Sequence, residues 1–120
     1  MKIEKFEDIM SWKLGKELTI LIYRLFKTNT DFSFKDQIQR ASVSVMNNIA
    51  EGFERNSNKE FIRFLYIAKA SCGEVRSMLY LARDLDYIRQ KDYEKLLKNC
   101  IEISSMIYGL IKSLYNSGIK

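Results

Sequence analysis

The chain of 120 residues has no histidine and no proline, only five glycines, two cysteines and one tryptophan. Each shortage removes a class of answer. Without histidine the commonest metal ligand and proton shuttle are gone, and with them the Glu-x-x-His pairs of di-iron bundles. Ser42, Ser44 and Ser71 have no histidine to act as base, and no glycine-rich loop follows a strand to cradle phosphate. Two separate cysteines, Cys72 and Cys100, do not make a zinc site; they read as small reduced residues on core faces, since a disulfide would need an oxidising compartment. Glu51 and Glu54, three apart on one helix, read as solvated or bridged carboxylates. No catalytic residue, metal, cofactor or small-molecule substrate is expected, and the chain reads as a non-enzyme.

The opening Met1 to Asp8 has no apolar h-region, so a signal peptide is not expected. The longest apolar-rich run, Leu18 to Phe26, is broken by Thr19 and Arg24 and is far short of a membrane span. These features place the protein in the cytoplasm, with no membrane role.

What is present is apolar and helix-forming. At 47% apolar residues with no proline, the composition predicts an all-α fold, one four-helix-bundle domain over residues 1–120. The net charge of +5 permits a nucleic-acid or acidic partner without demanding one. Periodicity predicts a first helix from about Asp8, as cap, to Lys27, apolar over much of its circumference. A second begins after Ser33, with Asp36 completing a capping box, and ends near Arg55. Ser57 and Glu60 form a clearer box that starts the third, which runs to about Leu85–Tyr87. A loop through Ile88, Arg89 and Gln90 leads to a fourth helix, from about Lys91 to Asn116, with Asn116, Ser117 and Gly118 as its stop. Short connections predict an antiparallel up-down-up-down bundle.

The second helix carries two adjacent stripes. Ile38, Ala41, Val45, Ile49, Gly52 and Phe53 are apolar, and beside them run Gln37, Arg40, Ser44, Asn48, Glu51 and Arg55. With the turn centred near Ser57, facing residues of helices two and three have numbers summing to about 114. That sets Arg40 opposite Glu74, Glu51 opposite Arg63, and Ser44 near Ala70 and Ser71. The expectation is a structural polar seam with Arg40–Glu74 as its partly buried pair, a device that specifies register more than it stabilises. The other reading of the ladder is a ligand or partner site.

Helix three also carries Lys59, Arg63, Tyr66, Lys69, Arg76, Tyr80, Arg83 and Tyr87 near one face. Basic residues supply phosphate contacts, and interleaved tyrosines can stack on unpaired bases. The plainer alternative is a solvated face whose tyrosines cover core edges or an oligomer contact.

The segment Gln37 to Val45 with Asn48-Ile-Ala-Glu-Gly52, followed by Arg55, resembles a family of small bacterial four-helix bundles, some encoded within intervening sequences of large-subunit ribosomal RNA genes. Ala70-Ser71 with Glu74, Trp12, and Leu85-Asp86-Tyr87-Ile88 extend the likeness over nearly the whole chain. Met46 stands where that family often has proline, which predicts a straighter second helix, and Cys72 and Gly73 replace commoner residues. The resemblance implies a left-handed up-down bundle that assembles into a ring, typically a homopentamer, with no enzyme activity. A related branch, the accessory proteins of diversity-generating retroelements, forms similar basic barrels that bind a reverse transcriptase and nucleic acid. The functional expectation is a ring-forming scaffold that binds RNA, or a nucleic-acid-bound protein, weakly and by charge. The alternative is a protein-protein assembly module with no nucleic-acid role; an unrecognised enzyme comes third.

Overall fold

The computed structural model describes residues 3–117. A 3-10 turn at Phe6–Asp8 is followed by α1 (Met10–Leu25), α2 (Phe32–Glu54), α3 (Asn58–Asp84) and α4 (Gln90–Asn116). The protein is all-α, with four helices and no strand among the described residues. The 27 residues of α3 rise about 40 Å at 1.5 Å each, which sets the 46 Å long axis of the molecule.

Of the four helix starts, those of α2 and α3 carry a side-chain cap and those of α1 and α4 do not. Ser57 has extended backbone and its hydroxyl accepts from the Glu60 N–H at 3.3 Å, as the capping box requires. Asp8, in contrast, is not a cap. It lies in the 3-10 turn, and Ile9 takes the N-cap position without any side-chain bond, while Phe6 stacks edge-on against Trp12 at 5.2 Å. Ser33 does not cap α2 either. Asp31 does, accepting from the Phe34 N–H at 3.2 Å, and the Asn29 carbonyl side chain accepts from the Asp31 N–H at 2.8 Å. This earlier turn leaves Ser33 inside the helix and Asp36 free to pair elsewhere. The end of α3 is a Schellman closure: Asp86 takes a left-handed φ of 58°, and the Tyr87 N–H reaches back to the Ala82 carbonyl at 2.8 Å.

Leu18 and Ile22 of α1, Ile38, Val45 and Ile49 of α2, Leu65 and Leu79 of α3, and Leu96, Ile103 and Ile107 of α4 are wholly buried. Each contributes about 1.5–3 kcal/mol of burial, so the four stripes close on one core. Polar atoms inside it are mostly satisfied. The Thr19 hydroxyl lies 2.8 Å from the Gly15 carbonyl and 3.1 Å from the Ser42 carbonyl on α2. The Cys72 thiol donates to the Cys100 carbonyl at 3.2 Å; both cysteines are buried and free. Contact with Cys72 first, and burial second, push the Cys100 thiol far above its ordinary value, away from the reactive thiolate.

An aromatic cluster closes one end. Phe26, wholly buried just past α1, meets Phe34 edge-on at 5.3 Å, and Phe34 meets Tyr87 at 5.2 Å. The Tyr87 hydroxyl donates to Asp31 at 2.7 Å, tying the α1–α2 turn to the α3–α4 turn. That bond first, and the Phe34 N–H second, hold the Asp31 carboxyl below its usual 3.8, while the same bond raises the Tyr87 phenol above 10.0. A carboxylate with a depressed folded value stabilises above its unfolded value and loses that as pH falls through the folded one; a raised phenol does the reverse on the alkaline side. The stability difference between wild type and Tyr87→Phe should therefore be flat between these limits and shrink below about pH 4 and above about pH 10. Thermal melts of both proteins across that range check it. A difference independent of pH would mean that the ring packing, and not the hydroxyl–carboxylate bond, carries the effect.

Candidate nucleic-acid interface and polar seam

Along α2 and α3 the centre of the interhelical seam is built from short neutral side chains, with one amide–carboxylate bond further along it. The Ser44 and Ser71 hydroxyls meet at 2.8 Å, and Asn48 Nδ2 donates to both the carbonyl and the hydroxyl of Ser44, at 2.8 and 2.9 Å. Gln37 Nε2 donates to Glu74 at 3.1 Å. Residue numbers thus fall along α3 as they rise along α2.

The charged members of the ladder go elsewhere. Arg40 does not reach Glu74; it pairs with Asp36 at 2.8 Å, one turn back on its own helix, where the side chains are 80% and 64% exposed. Glu51 does not meet Arg63: it pairs with Arg55 at 3.0 Å, and Arg63 pairs with Glu60 at 3.5 Å. The reason is geometric. A partner three or four residues away on one helix is reached without crossing the seam, and crossing would desolvate a long charged side chain. Arg55 and Arg63 instead lay their guanidinium groups over the Phe64 ring, at 4.8 and 5.1 Å. A double-mutant cycle on Arg40→Ala and Glu74→Ala should be additive within about 0.3–0.5 kcal/mol, whereas Asp36 and Arg40 should couple by about the same small amount expected of exposed pairs. Coupling above 1 kcal/mol between Arg40 and Glu74 would contradict this arrangement.

The basic face of α3 is partly committed to the fold. Arg83 pairs with Asp84 at 3.2 Å, donates to the Tyr93 hydroxyl at 3.0 Å, and lies over the rings of Tyr80 and Tyr93. Tyr87 is not on this face at all; beyond the end of α3, its half-buried ring packs on Phe34. Tyr66 and Tyr80 remain exposed. Lys59, Lys69 and Arg76 have no carboxylate partner among the described residues, unlike Arg40, Arg55, Arg63, Arg83 and Arg89.

Two of these unpaired cations open onto α4. Lys69 and Arg76 line an open groove of about 340 Å³ with Ile101, Ser104, Ser105 and Tyr108, and no carboxylate lines it. Sequence reading on α3 alone misses the α4 half. Its signal is present, however: Ile101, Tyr108 and Tyr115 recur every seven residues outside the core rows, all exposed. A cleft of about 1090 Å³ at the end of the bundle has the opposite character. Glu4 and Glu54 line it together with Phe53, Phe61, Leu110 and Leu114, and no described lysine or arginine does. Among the described residues no group of three or more acidic or cysteine side chains is placed to hold a metal, and no helix is long and apolar enough to cross a membrane.

Comparison with known proteins places this geometry in a lineage. The 1.70 Å crystal structure of a protein of unknown function from the S23 ribosomal protein family of Bacteroides thetaiotaomicron VPI-5482 is similar, with a TM-score of 0.80 and 26% sequence identity, over 86% of this chain and 99% of that one. No curated protein matches. The family model of the 23S rRNA-intervening sequence proteins matches residues 7–109, which span the first three helices and most of the fourth, and the chain belongs to that family.

Proposed function

We propose that the protein is a non-catalytic, cytoplasmic scaffold: a left-handed up-down-up-down bundle that self-associates into a ring, a homopentamer by resemblance to its family, and binds RNA weakly through charge. The observation that carries the RNA reading is the α3–α4 groove, where Lys69 and Arg76 stand without a carboxylate beside the exposed Tyr108. A chain of net charge +5 that leaves cations unpaired in one groove favours a polyanion there. The ring reading draws on two separate apolar patches. Ile20 and Tyr23 are exposed on α1, and Ile67 and Leu81 are exposed on the flank of α3 that carries Glu74 towards α2. A head-to-tail ring joins two different surfaces in this way.

Light scattering with a short structured RNA, at low and moderate salt, tests both parts. Two phosphate contacts give a salt slope of about −1.4, so affinity should fall roughly sevenfold between about 50 and 200 mM salt. A ring that gains mass with RNA only at low salt supports the scaffold. The second reading, a protein-protein assembly module, is favoured by the same apolar patches; a ring indifferent to RNA at every salt concentration would select it. A clean monomer would end the ring proposal.

A further inference from the structure

Resting on the RNA reading above, we propose that the α3–α4 groove selects single-stranded over double-stranded nucleic acid, with Lys69 and Arg76 on backbone phosphates and a base stacked on the Tyr108 ring. The two cations are two helical turns apart on α3, about 10 Å of rise, and both face the same groove. Across it, Tyr108 is 49% exposed, a large aromatic surface left in water at the edge of a cationic site. The Lys112 ammonium lies 5.6 Å from the Tyr108 ring centre, which restrains the ring and adds a third cation beside it. Ser104 and Ser105 also line the groove, and a serine hydroxyl can donate to phosphate or exchange hydrogen bonds with ribose.

Charge alone does not distinguish strand states; the aromatic ring does. A duplex presents its phosphates but keeps its base faces stacked inside, where the Tyr108 ring cannot meet them. A single strand can turn a base out onto Tyr108 while its backbone follows Lys69 and Arg76. Ile101 and Tyr115, each about 10 Å along α4 from Tyr108, continue the exposed row and extend the platform in both directions.

The test is fluorescence anisotropy with an unstructured mixed-sequence RNA strand and a duplex RNA of equal length, both labelled, at low salt. The strand should bind about tenfold tighter than the duplex. Tyr108→Leu, which keeps apolar bulk but removes the aromatic face, should weaken the strand about tenfold and leave the duplex within about twofold, while Tyr108→Phe retains wild-type binding. Lys69→Gln with Arg76→Gln should weaken both ligands and make the salt slope shallower by about one to two. Equal affinity for strand and duplex, or an unaffected Tyr108→Leu, overturns the stacking inference while charge-driven RNA binding stands. No binding of either RNA by the wild type overturns both. A change in solution mass of Tyr108→Leu without RNA would assign the row to a subunit contact and overturn the inference equally.

Discussion

Gly52→Ala should destabilise the protein by about 1–3 kcal/mol, although alanine is the better helix former. A methyl group at Gly52 would stand 2.6 Å from the Cβ of Phe64 and 3.1 Å from Cδ1 of Phe61. The first of these atoms belongs to the root of a side chain on α3 and cannot swing away, so the helices must part. Phe53 and Phe61, edge-on at 5.8 Å, would separate with them. Gly73→Ala and Gly109→Ala should do the opposite. A Cβ at either meets nothing within 4 Å, and the usual gain of about 0.5–1 kcal/mol for replacing a helical glycine applies. Urea denaturation of the three variants separates the cases by midpoint. A stabilised Gly52→Ala would mean that α2 and α3 are not in close contact at this end.

The largest single loss is expected at the other end of the molecule. Phe26→Ala should cost about 3–5 kcal/mol, a large share of the stability of a domain this size. Phe26 has no exposed surface and braces Phe34, whose N–H is the one that Asp31 caps and whose ring supports Tyr87. Removing the ring opens a cavity beneath both turns, so the Asp31–Tyr87 bond should weaken as well. Thermal melts of Phe26→Ala, Tyr87→Phe and the double variant measure that coupling. Strict additivity would show the cavity and the turn bond to be independent.

The RNA reading and the stability predictions concern separate parts of the molecule. Lys69, Arg76 and Tyr108 lie on the surface of α3 and α4, away from the Phe26 and Gly52 ends, so substitutions in the groove leave the core intact. Groove variants that unfold would contradict that separation.

How much of this was legible in the sequence depended on range. The apolar stripes of α2 and α3 were legible because a buried stripe must recur at the helical period, and Val45, Ile49, Leu65, Ala68 and Val75 are all buried. Ser57 was legible as a cap because its partner, Glu60, is three residues away. Asp31 was not, since its cap competes with an equally plausible Ser33 and is decided by Asn29 below it and by Tyr87, 56 residues on. The neutral seam at Ser44 and Ser71 and the charged pairs differ in the same way. Short side chains report the helix they face, but long ones choose among several partners, and Arg40 and Glu51 settled on their own helix.

The sequence by itself determined the all-helical class, the four elements and the absence of histidine chemistry, because composition and periodicity act locally. Only the tertiary structure decided which cations remain unpaired and what stands beside them. Lys69, Arg76 and Tyr108 are distant in the chain and become one groove only when α3 and α4 pack side by side. Tyr87 left the basic face for the same reason: the Schellman turn at Asp86 carries it past the end of α3 and onto Asp31.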